Sequence, residues 1–65
     1  MPDDDDFGEW VNGRRRVLGL SLRQLSEMTR TSNPYLSQVE RGLRIPDDTV
    51  RDRLIAVLGD PDEGP

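Results

Sequence analysis

The sequence predicts an all-α domain, and three observations lead there. Four stretches carry apolar residues at helical spacing, caps and breakers bound them, and the connections are too short to hold anything else. No stretch alternates apolar and polar residues as a strand would. In 65 residues there is room for one small domain with a thin core, so stability is expected to be marginal unless a second chain helps.

The first helix is predicted over about Phe7 to Leu18, with Phe7, Val11 and Leu18 on one stripe flanked by Trp10 and Val17. Gly13 within it costs about 1 kcal/mol relative to alanine, so this helix leans on packing. Successive 100° steps send Arg14, Arg15 and Arg16 in different directions, and Arg16 lies farthest from the stripe. The second helix follows Gly19-Leu20, with Ser21 as N-cap, and runs to about Thr29; Leu25 and Met28 face inward with Leu20.

A turn over Arg30 to Ser32 leads to the third helix, about Asn33 to Arg41. Ser32 is its cap and Asn33 the alternative, Pro34 sits in the first turn where a missing N–H costs nothing, and Gly42 supplies the left-handed stop. Leu36, Val39 and Leu43 form the expected inner edge. The opposite edge reads Pro34, Ser37, Gln38, Arg41, the i, i+3, i+4, i+7 spacing of one face, with no large aliphatic residue and a permanent cation at its end. The fourth helix begins after Pro46, capped by Asp47 or Asp48, carries Val50, Leu54, Val57 and Leu58, and stops at Gly59 and Pro61. Residues 1–6 and 60–65 are acidic runs expected to be disordered tails around a folded unit at 7–59.

The net charge of -4 hides a segregation. Residues 1–13 carry -5, residues 14–44 carry +5 from seven arginines against Glu27 and Glu40, and residues 45–65 carry -4. A footprint for nucleic acid depends on the local field, and the basic block coincides with the second and third helices and what precedes them.

Other chemistries are poorly supplied. There is no cysteine and no histidine, which excludes disulfides, thiol nucleophiles and the usual zinc sets. Asp3 to Asp6 lack the spaced ligands and turn glycine of a calcium loop. A hydrolase would need paired carboxylates in a pocket, and a domain of this size promises none, so neither enzyme activity nor a cofactor is expected. No apolar run approaches the roughly 20 residues of a membrane span, and the acidic N-terminus is unlike a signal peptide, so a cytoplasmic, nucleoid-associated location is expected.

The stretch GLSLRQLSEMTRTSNPYLSQVERGLRIPD, from Gly19 to Asp47, resembles the helix-turn-helix of the phage-repressor and Cro-like family, also called XRE. The likeness extends from about Phe7 to Gly59 and implies a compact lambda-repressor-like DNA-binding domain of four helices, or five in relatives that add one. It further implies that Asn33, Pro34 and Gln38 face base edges, the two amides having the donor and acceptor pair that suits adenine. Tyr35, Ser37, Arg41 and Arg44, with the backbone of Gly42-Leu43, would lie near phosphates, and the layout puts Arg23 there too. It implies an ion pair between Arg15 and the glutamate of the ERG motif, Glu40.

The chain departs from the pattern at three places. Leu22 stands where the family usually has a phosphate-contacting glutamine, Arg30 stands at the usual turn glycine, and Pro34 can offer a base only apolar contact. The expected function is a sequence-specific regulator of transcription that binds double-stranded DNA as a homodimer over two half-sites. The alternative is an antitoxin-like or adaptor module that keeps the fold and binds a basic protein partner through its acidic tails.

Overall fold

In a computed structural model, which describes residues 4–59, four α-helices follow in order: α1 Asp4–Val17, α2 Leu22–Thr29, α3 Asn33–Glu40 and α4 Asp48–Leu58. α1 begins at Asp4, ahead of the expected Phe7, so Asp6, counted with the N-terminal tail, lies in its first turn, where a carboxylate suits the positive end of the helix dipole. Residues 1–3 and the tail expected at 60–65 lie outside the described residues.

The other three helices start on side-chain caps. Ser21 Oγ accepts from the Gln24 amide at 3.0 Å while Gln24 Oε1 accepts from the Ser21 amide at 2.8 Å, a reciprocal box that satisfies two otherwise orphaned donors. Ser32 Oγ accepts from the Tyr35 amide at 3.2 Å, and Asp47 Oδ1 from the Val50 amide at 2.9 Å.

α1, α2 and α3 all stop by the same device, one residue in the left-handed region that turns two amides back onto the last turn. After α3 these are Gly42 N–H to Val39 O at 3.1 Å and Leu43 N–H to Gln38 O at 2.8 Å. Gly19 and Gly42 hold that position with φ of 73° and 75°, whereas after α2 it falls to Arg30 with φ of 56°. A side chain there costs about 1 kcal/mol. Arg30→Gly is therefore expected to stabilise the domain by about that amount, raising Tm by roughly 4–8 °C in a thermal melt followed by circular dichroism. An unchanged or lower Tm would mean that the arginine is held there by something more than backbone geometry.

α3 packs against α1 and α2, and α4 against α1 and α2. Their shared core is Phe7 and Val11 from α1, Leu25 from α2, Leu36 and Val39 from α3, and Leu54 and Leu58 from α4, all effectively fully buried. Each such side chain contributes about 1.5–3 kcal/mol of transfer free energy. Trp10 flanks Phe7 with ring centroids 5.4 Å apart, and the Arg51 guanidinium lies over the Phe7 ring at 4.5 Å.

Three residues expected inside are not. Leu18, Met28 and Leu43 are 46%, 55% and 65% exposed. Leu18 and Leu43 lie beyond the last helical turn, where the left-handed residue redirects the chain, and Met28 is one step past the side of α2 that meets α3 and α4. The inward place on α2 goes instead to Ser26 and Thr29. Their hydroxyls donate to Arg23 O at 2.7 Å and Leu25 O at 2.8 Å, so each is satisfied by its own helix and packs as a small apolar group. Gly8 is also buried, and a Cβ placed there would lie 1.9 Å from Val39 O. α1 and α3 touch backbone to backbone at that point.

Two arginines tie helices that are distant in sequence. Arg14 Nε donates to Leu58 O at 3.0 Å, and Arg53 Nη1 to Thr29 O at 3.5 Å. Both put a cation at the negative end of another helix, α4 and α2 respectively.

Candidate nucleic-acid interface

The candidate surface is built on α3, whose two sides have separate tasks. Leu36 and Val39 are buried, whereas Asn33, Pro34 and Arg41 are exposed and Ser37 and Gln38 are half-buried. With Ser32 as cap, Asn33 is released from the capping role that was its alternative, and its side chain is free to face outward. Pro34 lies in the first turn with no N–H to offer, and the Tyr35 and Leu36 amides donate to Ser32, so the exposed N-terminus of α3 presents mainly small or amide side chains.

Glu40 holds this helix to the domain. Its carboxylate accepts from Arg15 Nε at 2.8 Å and Nη2 at 3.1 Å, and from Asn12 Nδ2 at 2.7 Å. Arg15 Nη1 also donates to Leu20 O at 2.9 Å, which links α1, α3 and the turn before α2. The two side chains are only 14% and 7% exposed. The hydrogen bond to Glu40 raises the Arg15 guanidinium above its ordinary value, against the lowering effect of burial. On the alkaline side that contribution is lost only as the pH rises above the ordinary arginine range, so it stays constant through neutrality.

The basic residues divide in the same way. Arg14, Arg15, Arg51 and Arg53 are occupied within the fold. Arg41 is exposed and no ion pair holds it among the described residues. Arg23 is exposed and paired only with Glu27, one turn away on α2 at 3.4 Å; both partners are largely in solvent, so the pair is worth little. Among the described residues no hydrogen bond or ion pair ties Arg23 to the α3 face.

Arg44 does join that face. The reversal at Gly42 folds the chain back, and Arg44 Nε donates to Gln38 Oε1 at 2.8 Å while its guanidinium lies 5.1 Å from the Tyr35 ring centre. The partners are six and nine positions away, beyond the reach of helical spacing, and the turn glycine was the only sequence signal for it. Asn12, the third donor to Glu40, was likewise not foreseen, although it precedes Arg15 by three positions on α1.

Leu22, where the family resemblance leads one to expect glutamine, is half-buried and packs against the core. A shallow groove lies beside α3, lined by Thr31, Ser32, Tyr35, Asp47 and Val50. Among the described residues no cluster of His, Cys, Asp or Glu side chains could hold a metal ion, and no helix is long and apolar enough to cross a membrane.

Comparison with known proteins agrees with the four-helix fold. The helix-turn-helix family profile matches residues 14–63. Two uncharacterized HTH-type transcriptional regulators of Mycobacterium tuberculosis, one from strain CDC 1551 / Oshkosh and one from H37Rv, are each 45% identical to it over 51 residues. These alignments cover 78% of the chain and 36% of each relative, so the chain spans about a third of their length. No solved structure matches it.

Proposed function

The chain belongs to the XRE family of helix-turn-helix DNA-binding regulators, and from that premise we propose that it regulates transcription by reading double-stranded DNA with α3 in the major groove. The observation that carries the reading is the outward face of α3, where Asn33, Pro34, Ser37, Gln38 and Arg41 stand free of the core with Arg44 beside them and no acid among them. In this reading Asn33, Pro34 and Gln38 meet base edges. Tyr35, Ser37, Arg41, Arg44 and, from α2, Arg23 meet phosphates on either side.

One such module covers only a few base pairs, so the proposal includes a homodimer over two half-sites about one turn, roughly 34 Å, apart. Acidic residues outside the basic block oppose nonspecific attraction to DNA and leave recognition to the base contacts. The proposed setting is the cytoplasm, at the nucleoid.

Selection of bound duplexes from a random pool tests this, and a palindromic motif is the expected result. Binding to the selected site should weaken steeply with salt, and Arg41→Ala should reduce the slope of log K against log salt by about one per bound protomer while leaving the motif unchanged. Failure to enrich any duplex would overturn the reading and favour the protein-interaction alternative.

A further inference from the structure

Resting on the DNA-reading role of α3, we infer that Arg44 is a positioning residue for Gln38: it holds the carboxamide in one orientation before DNA arrives. Part of the preference at the base pair Gln38 meets then depends on a residue outside the recognition helix. A long amide side chain that is free in solution must be ordered when it meets a base, which weakens the contact by roughly two- to tenfold. A side chain already held avoids most of that loss.

Consecutive residues of the segment after α3 hold Gln38 at both ends. The reversal at Gly42 lets the Leu43 amide donate to the Gln38 main-chain oxygen at 2.8 Å, and Arg44 Nε donates to its side-chain Oε1, also at 2.8 Å. The helix stop itself thus brings Arg44 to Gln38. The arginine is held in turn, since its guanidinium lies over the Tyr35 ring at 5.1 Å, and Tyr35 packs against the core with its amide bonded to the Ser32 cap. One exposed hydrogen bond would order little by itself. Here the backbone closure, the ring contact and the side-chain bond converge on one arrangement.

A guanidinium carries donors only, so the Gln38 atom facing Arg44 is the carbonyl oxygen. That oxygen has two lone pairs and Arg44 takes one, which leaves Gln38 an acceptor and both N–H donors for a base. Its match to adenine is retained, and what it loses is freedom to turn. The terminal nitrogens of Arg44 remain for a phosphate, so one guanidinium can hold Gln38 and grip the backbone at once. A lysine has the charge without that fixed fork.

The test is a double-mutant cycle on DNA affinity with the full chain. Duplex selection with wild type gives the site, and selection with Gln38→Ala marks the base pair read by Gln38 as the position that loses its preference. Wild type, the two alanine variants and the double variant are then titrated with the selected duplex and with one substituted at that pair. Arg44 is exposed and outside the helices, so its replacement leaves the core intact. Arg44→Ala is expected to weaken binding to both duplexes and, beyond that, to lower the preference between them by about two- to tenfold. With Gln38 already alanine, the same change should weaken both equally. Arg44→Lys should recover the shared loss but not the preference. An Arg44→Ala protein whose preference is unmoved would reduce Arg44 to a phosphate contact and overturn the inference. So would an effect of Arg44→Ala on preference that persists without Gln38, the mark of a direct base contact, or a lysine that restores the preference in full. Each of these leaves the DNA-reading role standing, whereas a wild-type protein that selects no motif removes that role itself.

Discussion

Gly8→Ala is expected to destabilise the protein by about 3 kcal/mol or more, enough to unfold much of a domain this small. The added methyl would lie 1.9 Å from the Val39 carbonyl oxygen and 2.9 Å from its carbon, and both atoms belong to backbone in the last turn of α3. No rotamer can relieve that clash; the two helices must part, and with them the packing of Phe7 and Val11 on Leu36 and Val39. Gly13→Ala makes the contrast, because a Cβ there meets nothing within 4 Å. The same substitution five positions along the same helix should therefore stabilise by about 1 kcal/mol through helix propensity alone. Urea unfolding of the two variants should move the midpoint in opposite directions, and a midpoint for Gly8→Ala equal to wild type would show that α1 and α3 do not touch as described.

Glu40→Ala is the second large effect expected. The carboxylate accepts three hydrogen bonds, so its loss leaves Arg15 and Asn12 facing a space that is mostly closed to water. Removing one member of a buried pair costs more than the pair contributes, and about 2–4 kcal/mol is expected here, toward the low side because the domain is thin and water lies close. Arg15→Met offers the informative comparison: removing the cation while keeping the bulk should cost less than Glu40→Ala if the carboxylate keeps Asn12. A double-mutant cycle gives the coupling between Arg15 and Glu40, and a value near zero would reduce the pair to two independent side chains.

The two substitutions also mark what could be read from the sequence. The helices and most of their ends were legible because each boundary is written in local chemistry: Ser21 with Gln24, Ser32 three positions before Tyr35, Asp47 before Val50, Gly42 after α3. Arg30 shows the limit of such signals. A glycine would have announced the turn, whereas the arginine takes the same left-handed conformation against the preference of a residue with a side chain. Burial was legible only where the apolar period coincided with a neighbouring helix, as at Leu25 and Leu54. It was missed at Gly8, Ser26 and Thr29, where smallness or an internally satisfied hydroxyl takes the place of hydrophobicity.

In the candidate interface, the residues of the α3 face could be chosen by spacing, but not how they depend on one another. Spacing within a helix extends four residues or so, and Arg44 reaches Gln38 only after the chain has reversed at Gly42. The expectation of a bidentate glutamine on adenine treated Gln38 as an isolated side chain. Its carbonyl oxygen also accepts a hydrogen bond from Arg44, so the two side chains face outward as a pair.

The division of α3 into a side that holds and a side that faces outward bears on how such a protein can change its target over generations. Leu36, Val39 and Glu40 carry the attachment, and Asn33, Pro34 and Arg41 carry almost none of it. Substitutions at those three exposed positions are close to invisible to folding, so under the proposed function the recognised sequence can drift while the scaffold stays under constant selection. Gln38 is the exception: its carboxamide is bonded to Arg44, so a substitution there also releases its partner.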